Sequence, residues 1–146
     1  MEHDQHGMEI LSDSQCVELL EISRLGRVAL THKALPIILP VTFGCLDRQL
    51  IFSVAPGILA RAAEDAQIVC FETDWVDESM LNAWSVSVIG RLTTLSDPWT
   101  VERVVKLSLA PWTTGPVTIV ALAPELYSGR RTVDRPQFAV CEPSPS

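Results

Sequence analysis

Short apolar runs alternate along the chain with polar segments and with segments that contain Pro or Gly, a pattern typical of β-strands joined by turns. The most regular alternation covers residues 84–95. It places Val86, Val88, Gly90 and Leu92 on one face of a strand, and Ser85, Ser87, Ile89 and Arg91 on the other. The predicted strands cover residues 27–32, 35–43, 50–54, 67–72, 84–95, 117–122 and 126–130.

Three segments carry helix signals instead of this alternation. Ser12 and Gln15 have the spacing of a capping box, and Gly26 is expected to terminate this first helix. The Ala-rich residues 58–64 predict a short second helix. Asp97 is expected to cap a third helix. The predicted apolar stripe of the third helix consists of Val101, Val104, Val105 and Leu109.

The elements follow in the order helix, three strands, helix, two strands, helix, two strands. Consecutive strands with short connections favour antiparallel pairing, so we predict a mostly-β protein built as an antiparallel barrel. The acidic residues 73–82 are expected to form an exposed loop. One domain is expected over residues 10–133, between a flexible N-terminus at 1–9 and a Pro/Ser-rich tail at 134–146.

Composition and charge exclude several classes of protein. The formal net charge is −7 and the only adjacent basic residues are Arg130 and Arg131, whereas nucleic-acid binding needs clustered cations. No apolar run approaches the ~20 residues of a transmembrane helix. The polar residues 1–7 do not form a signal peptide. We therefore expect a cytoplasmic protein without a nucleic-acid or membrane partner.

No sequence motif indicates a metal site or covalent catalysis. The four cysteines form no CxxC pair, and the acidic residues 72–78 lack the glycine and the ligand spacing of a calcium loop. No serine has the spacing of a nucleophile elbow. We therefore predict no metal ligand and name no catalytic residue. His32 is the only histidine within the predicted barrel.

Several short segments occur together in an order that points to one family. They are Leu25-Gly26-Arg27-Val28-Ala29, Leu35-Pro36, Leu39-Pro40-Val41, Ala55-Pro56-Gly57, Trp84-Ser85-Val86, Pro111-Trp112 and Gly129-Arg130-Arg131. With these segments the chain resembles the flavin-binding, pyridoxamine 5′-phosphate oxidase-like proteins of small actinobacterial type. The resemblance implies a split β-barrel, similar to FMN-binding proteins, that forms a homodimer with FMN at the interface. Some members bind the deazaflavin F420 or haem-type ligands instead.

The resemblance also assigns roles to individual residues. Pro40, Val41 and Thr42 match the strand whose backbone amides line the isoalloxazine ring. Trp84 and Ser85 match a position close to the cofactor or to the dimer contact. In this family the chemistry belongs to the cofactor, and the protein orients the reactants and tunes the flavin ring.

The segment that would hold the cofactor phosphate departs from the family pattern. Members that hold FMN usually read Phe-Arg-Thr-Ala-x-Gly-Ser-Lys there. The Arg, Thr, Ser and Lys of that pattern are replaced by Ser53, Val54, Ile58 and Leu59. Each lost charge-assisted hydrogen bond is worth ~1.5–3 kcal/mol. The hydroxyl of Ser53, backbone N–H groups near Gly57 and the side chain of Arg61 remain as candidate phosphate contacts.

Three functions stay open at this point. The first is a flavin-dependent oxidoreductase, with FMN or F420 bound at a homodimer interface. The second is a cofactor-free dimer that acts as a ligand-binding or regulatory module, which the aliphatic phosphate segment favours. The third is a haem binder with His32 as its axial ligand. Trp112 is expected either to close the pocket or to anchor its loop, and Arg130 and Arg131 either to meet an anionic ligand or to be solvated.

Overall fold

A computed structural model describes residues 1–109 and 112–133 of the chain, and these contain eight strands and three helices. The strands are β1 (Glu2–His3), β2 (Glu9–Ile10), β3 (Leu25–His32), β4 (Leu35–Leu46), β5 (Gln49–Val54), β6 (Ile68–Val76), β7 (Ala83–Thr94) and β8 (Thr118–Arg131). The helices are α1 (Asp13–Glu21), α2 (Ile58–Glu64) and α3 (Pro98–Val105). No helix among the described residues is long and apolar enough to cross a membrane.

Six of the strands close into a barrel in which every pairing is antiparallel. The hydrogen-bonded order is β8–β5–β4–β3–β6–β7, and β7 pairs back onto β8. The strands β3, β4 and β5 form a meander, the antiparallel pairing of consecutive strands that the short connections predict. The hairpin of β1 and β2 extends the sheet along the C-terminal end of β8. This topology confirms the prediction of a mostly-β antiparallel barrel.

The barrel interior is filled by the alternate residues of each strand. In β7 the buried face is Val86, Val88, Gly90 and Leu92, which is the face that the alternation predicts. Phe43, Phe52 and Phe71 meet at the centre of the core. The ring centroid of Phe71 lies 4.7 Å from that of Phe43 and 5.7 Å from that of Phe52. Paired aromatic rings add to the stability that their burial supplies.

The start of the first helix is predicted correctly and its end is not. The Ser12 side chain accepts a hydrogen bond from the Gln15 backbone N–H at 3.2 Å, and the Ser12 N–H donates to the Gln15 side chain at 2.8 Å. The helix ends at Glu21, however, and Gly26 lies within β3. A Cβ atom at Gly26 would overlap the ring of Phe71. This glycine therefore serves a close packing contact and does not terminate the helix.

Two predicted boundaries between strand and loop are wrong. Strand β6 continues to Val76, so the first part of the expected loop 73–82 is paired with β7. Residues 117–122 and 126–130 are not two strands, because β8 runs through Pro124 without interruption. The register with β7 shifts between Ile89 and Gly90, where the chain has a bulge. A proline has no N–H for the ladder and is tolerated at such an irregularity.

The third helix begins as predicted, but its apolar stripe is mostly absent. The Asp97 carboxylate accepts a hydrogen bond from the Thr100 backbone N–H at 2.9 Å. Of the helical residues only Val104 is buried, while Val105 is 69% exposed. Leu109 lies beyond the end of the helix and packs near Gly44. The domain boundaries and the flexibility of residues 1–9 stay predictions, and the predicted tail 134–146 lies outside the described residues.

Candidate functional site

A groove lies between β4 and the segment that joins β5 to α2. We call it the β4–β5 groove. It has a volume of about 270 Å³ and brings together Pro40, Val41, Thr42 and Ser53 of the predicted site residues. Trp112, which is 64% exposed, also lines it. The groove is therefore lined mainly by apolar side chains, one of which is an exposed aromatic.

The four positions that depart from the family pattern all line this groove. They are Ser53, Val54, Ile58 and Leu59. Val54 and Leu59 are buried, so the wall beneath the groove is aliphatic. Among the described residues no Arg or Lys lines it. The groove suits a flat apolar ring, but within one protomer it offers no charged partner for a phosphate.

Gly57 and Arg61, the other two predicted phosphate contacts, do not line the groove. Gly57 is the N-cap residue of α2 and supplies no side-chain hydrogen bond to the helix. Arg61, one turn into α2, has an exposed side chain. Within one protomer the groove therefore receives no charge from these two positions.

Trp84 and Ser85 are not among the residues that line the β4–β5 groove. Trp84 pairs across the sheet with Trp75 and lines a different cavity of about 530 Å³. Ser85 pairs with Asp74 on one side and with Arg130 on the other. The role predicted for Trp84 and Ser85, near the cofactor or the dimer contact, stays a prediction. His32 lies at the far end of β3 and does not line the groove.

Comparison with known proteins identifies the family. The family model described as pyridoxamine 5′-phosphate oxidase matches residues 12–131. The chain belongs to this family. It is 35% identical over 129 residues to the uncharacterized protein Rv0080 of Mycobacterium tuberculosis, with 84% of each chain covered.

Two solved structures of such proteins share its fold. The FAD binding protein of Mycobacterium smegmatis is 30% identical, with a TM-score of 0.71, and the match covers 84% of this chain and 97% of that chain. A putative pyridoxamine 5′-phosphate oxidase of Corynebacterium glutamicum is 25% identical, with a TM-score of 0.73, over 86% and 93% of the two chains. The chain therefore has the split-barrel fold, and its structural neighbours include a flavin-binding protein.

Two carboxylates lie together on β6: Glu72, at the end of a predicted strand, and Asp74, in the predicted loop 73–82. Arg27 Nη1 lies 3.5 Å from Glu72 Oε1 and 3.6 Å from Asp74 Oδ1, so two carboxylates share one guanidinium. Glu72 Oε1 is buried and accepts no hydrogen bond from the described residues. Burial, and then the neighbouring Asp74, raises the pKa of Glu72 to about 7 although Arg27 opposes the shift. The sequence signal that was available is the alternation of β6 continuing beyond Glu72.

We expect Glu72→Gln to remove part of the pH dependence of folding. The Glu72 carboxyl has a pKa of about 7 in the folded state and 4.5 in the unfolded chain, so the folded state binds its proton more tightly. The stability that this proton supplies is therefore lost as the pH rises from 4.5 through about 7. Since the side chain is about one third exposed, we discount the effect to about 1 kcal/mol of added unfolding free energy at pH 8. Urea unfolding at pH 5 and pH 8 measures it. The exposed Glu78→Gln is the control, and an equal change at both pH values would contradict the prediction.

Arg130 and Arg131 are engaged by the N-terminal hairpin. Arg131 binds Glu9 through two nitrogens, at 2.9 and 3.0 Å, and this contact holds the pKa of Glu9 below its usual range. Arg130 Nε lies 3.5 Å from Asp4 Oδ2. Both arginines thus have partners within the chain. Their ion pairs connect the hairpin to the end of β8.

Proposed function

We propose that this protein binds a flavin nucleotide in the β4–β5 groove and functions as a flavin-dependent oxidoreductase. The observation that carries the proposal is the groove itself, where the Pro40–Thr42 segment of β4, the aliphatic wall and Trp112 surround a space suited to a flat ring. The FAD-binding relative at 30% identity supports it. When bound, the flavin would supply hydride transfer.

The chain's own residues would bind and orient the ring. Pro40, Val41 and Thr42 would lie along it, and Trp112 would cover it and exclude water. Because the isoalloxazine ring is common to riboflavin, FMN and FAD, the groove by itself favours a flavin without choosing among its phosphate tails. FMN is our first choice, FAD is supported by the relative, and the deazaflavin F420 is a third candidate.

We further propose that the protein is a cytoplasmic homodimer with the cofactor near the interface. An apolar row crosses five strands on the outside of the barrel, through directly paired residues. It consists of Ile38, Ala29, Cys70, Ile89 and Leu126. Ile38 and Leu126 are more than 60% exposed, at 68% and 63%. Contiguous exposed apolar surface supports association, and Pro40 connects this row to the groove.

The second candidate function is a cofactor-free dimer that binds a neutral or apolar ligand. The aliphatic residues Val54, Ile58 and Leu59 on the groove favour it, as does the absence of a lining cation among the described residues. The two functions differ in a simple property, which is whether a flavin stays with the protein.

Titration of the purified protein with riboflavin, FMN, FAD and F420, followed by absorbance and gel filtration, tests the proposal. We expect at least one flavin to co-elute with a dimer. Trp112→Ala should weaken flavin binding about tenfold, since stacking on an aromatic side chain is worth ~1–3 kcal/mol. Trp99→Ala is the matched control, because Trp99 is 65% exposed and packs on Arg103 away from the groove. A protein that elutes free of every flavin would leave the cofactor-free function.

A further inference from the structure

A small cavity lies between the C-terminal half of α1, the turn that joins β4 to β5, and β8. We call it the α1 cavity, and its volume is about 110 Å³. Leu20 and Leu50, which both belong to the buried core, line it together with the half-buried Val17 and Tyr127. It shares no lining residue with the β4–β5 groove. Pockets for cofactors measure ~300–1,000 Å³, so the α1 cavity suits a much smaller molecule.

Two opposite charges line the α1 cavity without pairing with each other. Glu21 is the last residue of α1, and Arg48 lies in the β4–β5 turn. Within the ranges 1–109 and 112–133, neither side chain forms an ion pair. The cavity therefore offers one carboxylate and one guanidinium that lack a partner in this part of the chain.

Each of the two charges acts on a different group inside the cavity. Burial, and then the charge of Glu21, raises the pKa of the Cys45 thiol to about 11. Burial also raises the pKa of the Tyr127 phenol, and there Arg48 opposes the shift. Since Cys45 and Tyr127 both line the cavity, the fields of Glu21 and Arg48 reach its interior.

The β4–β5 turn holds Arg48 in place and leaves its charge available. Asp47 and Arg48 have φ values of 51° and 63°, as the two central residues of a type I′ hairpin turn require. The Asp47 carboxylate accepts two hydrogen bonds from Arg103 of α3, at 2.7 and 2.9 Å. Asp47 therefore has its own cationic partner, and the neighbouring guanidinium of Arg48 is not needed to neutralise it.

The end of α1 lacks the cation that a helix C-terminus favours. The last turn of a helix carries a partial negative charge, which a nearby positive group stabilises. No basic residue occupies the last turn of α1, and Glu21 adds a full negative charge there. The edge of the cavity formed by α1 is thus suited to an ammonium group.

We infer that the α1 cavity binds a small zwitterion, an α-amino acid with a short aliphatic side chain. The Arg48 guanidinium would bind the carboxylate of the ligand. Glu21 and the end of α1 would bind its ammonium group. The apolar lining around Leu20 would contact the side chain of the ligand. This site is additional to the proposed flavin site and does not depend on it.

The test compares three probes of similar size by equilibrium dialysis. L-Valine carries both charges, 2-methylpropylamine lacks the carboxylate, and 3-methylbutanoate lacks the ammonium group. We expect L-valine to bind about tenfold more tightly than either, the effect of one charge-assisted hydrogen bond. Arg48→Gln should abolish the preference over the amine and keep the preference over 3-methylbutanoate. Glu21→Gln should do the reverse.

The matched control is Lys33→Gln, which removes one positive charge from the β3–β4 turn. Lys33 is exposed, has a φ of 51° like the residues of the β4–β5 turn, and does not line the α1 cavity. This variant should preserve both preferences.

Three results would overturn the inference. Equal binding of the three probes, or no binding of L-valine, would show that the two charges do not recognise a ligand. Unchanged preferences in Arg48→Gln and Glu21→Gln would place the amino acid elsewhere on the protein. Displacement of L-valine by FMN would place it in the flavin site. Failure to bind any flavin, with L-valine binding intact, would contradict only the proposed function.

Discussion

Replacing Phe71 with alanine is expected to lower the free energy of unfolding by about 3–5 kcal/mol. Phe71 is fully buried and contacts both other aromatic rings of the barrel centre, Phe43 and Phe52. Its ring also occupies the space that the missing side chain of Gly26 leaves. The substitution would leave a cavity where the ring of Phe71 lies. Side chains on three neighbouring strands would have to shift to fill it, and hydrogen-bonded strands cannot move far. Urea or thermal unfolding of the variant measures the loss.

The control for this prediction is Trp99→Ala, which removes an aromatic side chain from the surface. Trp99 is 65% exposed, and its one ring contact among the described residues is with Arg103, 4.6 Å from the ring centroid. An exposed cation–π contact is worth ~0.5–1 kcal/mol. If Phe71→Ala cost no more than this control, the three-ring centre would not be the main packing unit of the barrel.

Introducing a cation into the β4–β5 groove is expected to strengthen FMN binding about 10- to 100-fold, since a charge-assisted hydrogen bond is worth ~1.5–3 kcal/mol. Ser53→Arg is the variant of choice, because Ser53 lines the groove and is only partly buried. Leu59 also lines the groove, but it belongs to the core, so a lysine there would cost stability. Kd values for FMN and riboflavin, measured by flavin fluorescence, give the result.

The comparison of FMN with riboflavin separates charge from size. Riboflavin lacks the phosphate, so its Kd should stay within about twofold in Ser53→Arg if the new arginine acts only on the phosphate. Ser53→Gln adds length without charge and should leave both values close to those of the unchanged protein. An equal gain for both ligands would contradict the phosphate explanation. No gain for either would place the phosphate away from Ser53.

The candidate site was only partly predictable from the sequence. The segments around Pro40–Thr42 and Ser53 do meet in one groove, because β4 and β5 are neighbours along the chain and pair as a meander. Trp84 does not join them within a protomer. Its partner is Trp75, in a segment whose acidic composition predicts a loop. The acidic composition of this segment indicates solvent exposure, but pairing with β7 places Asp74 and Trp75 on a strand. The same strand carries Glu72, whose pKa is raised.

Local pattern by itself determined where the first and third helices begin and which face of β7 is buried. The capping box at Ser12 fixes a helix start because its two hydrogen bonds join residues three apart. The alternation in β7 fixes which side chains enter the core because successive side chains of a strand point to opposite faces. Only the tertiary structure decided that β7 and β8 close the barrel, that Gly26 accommodates Phe71, and that Trp84 lines a different cavity from Ser53 within one protomer. These features depend on contacts between residues distant in sequence, which no local pattern encodes.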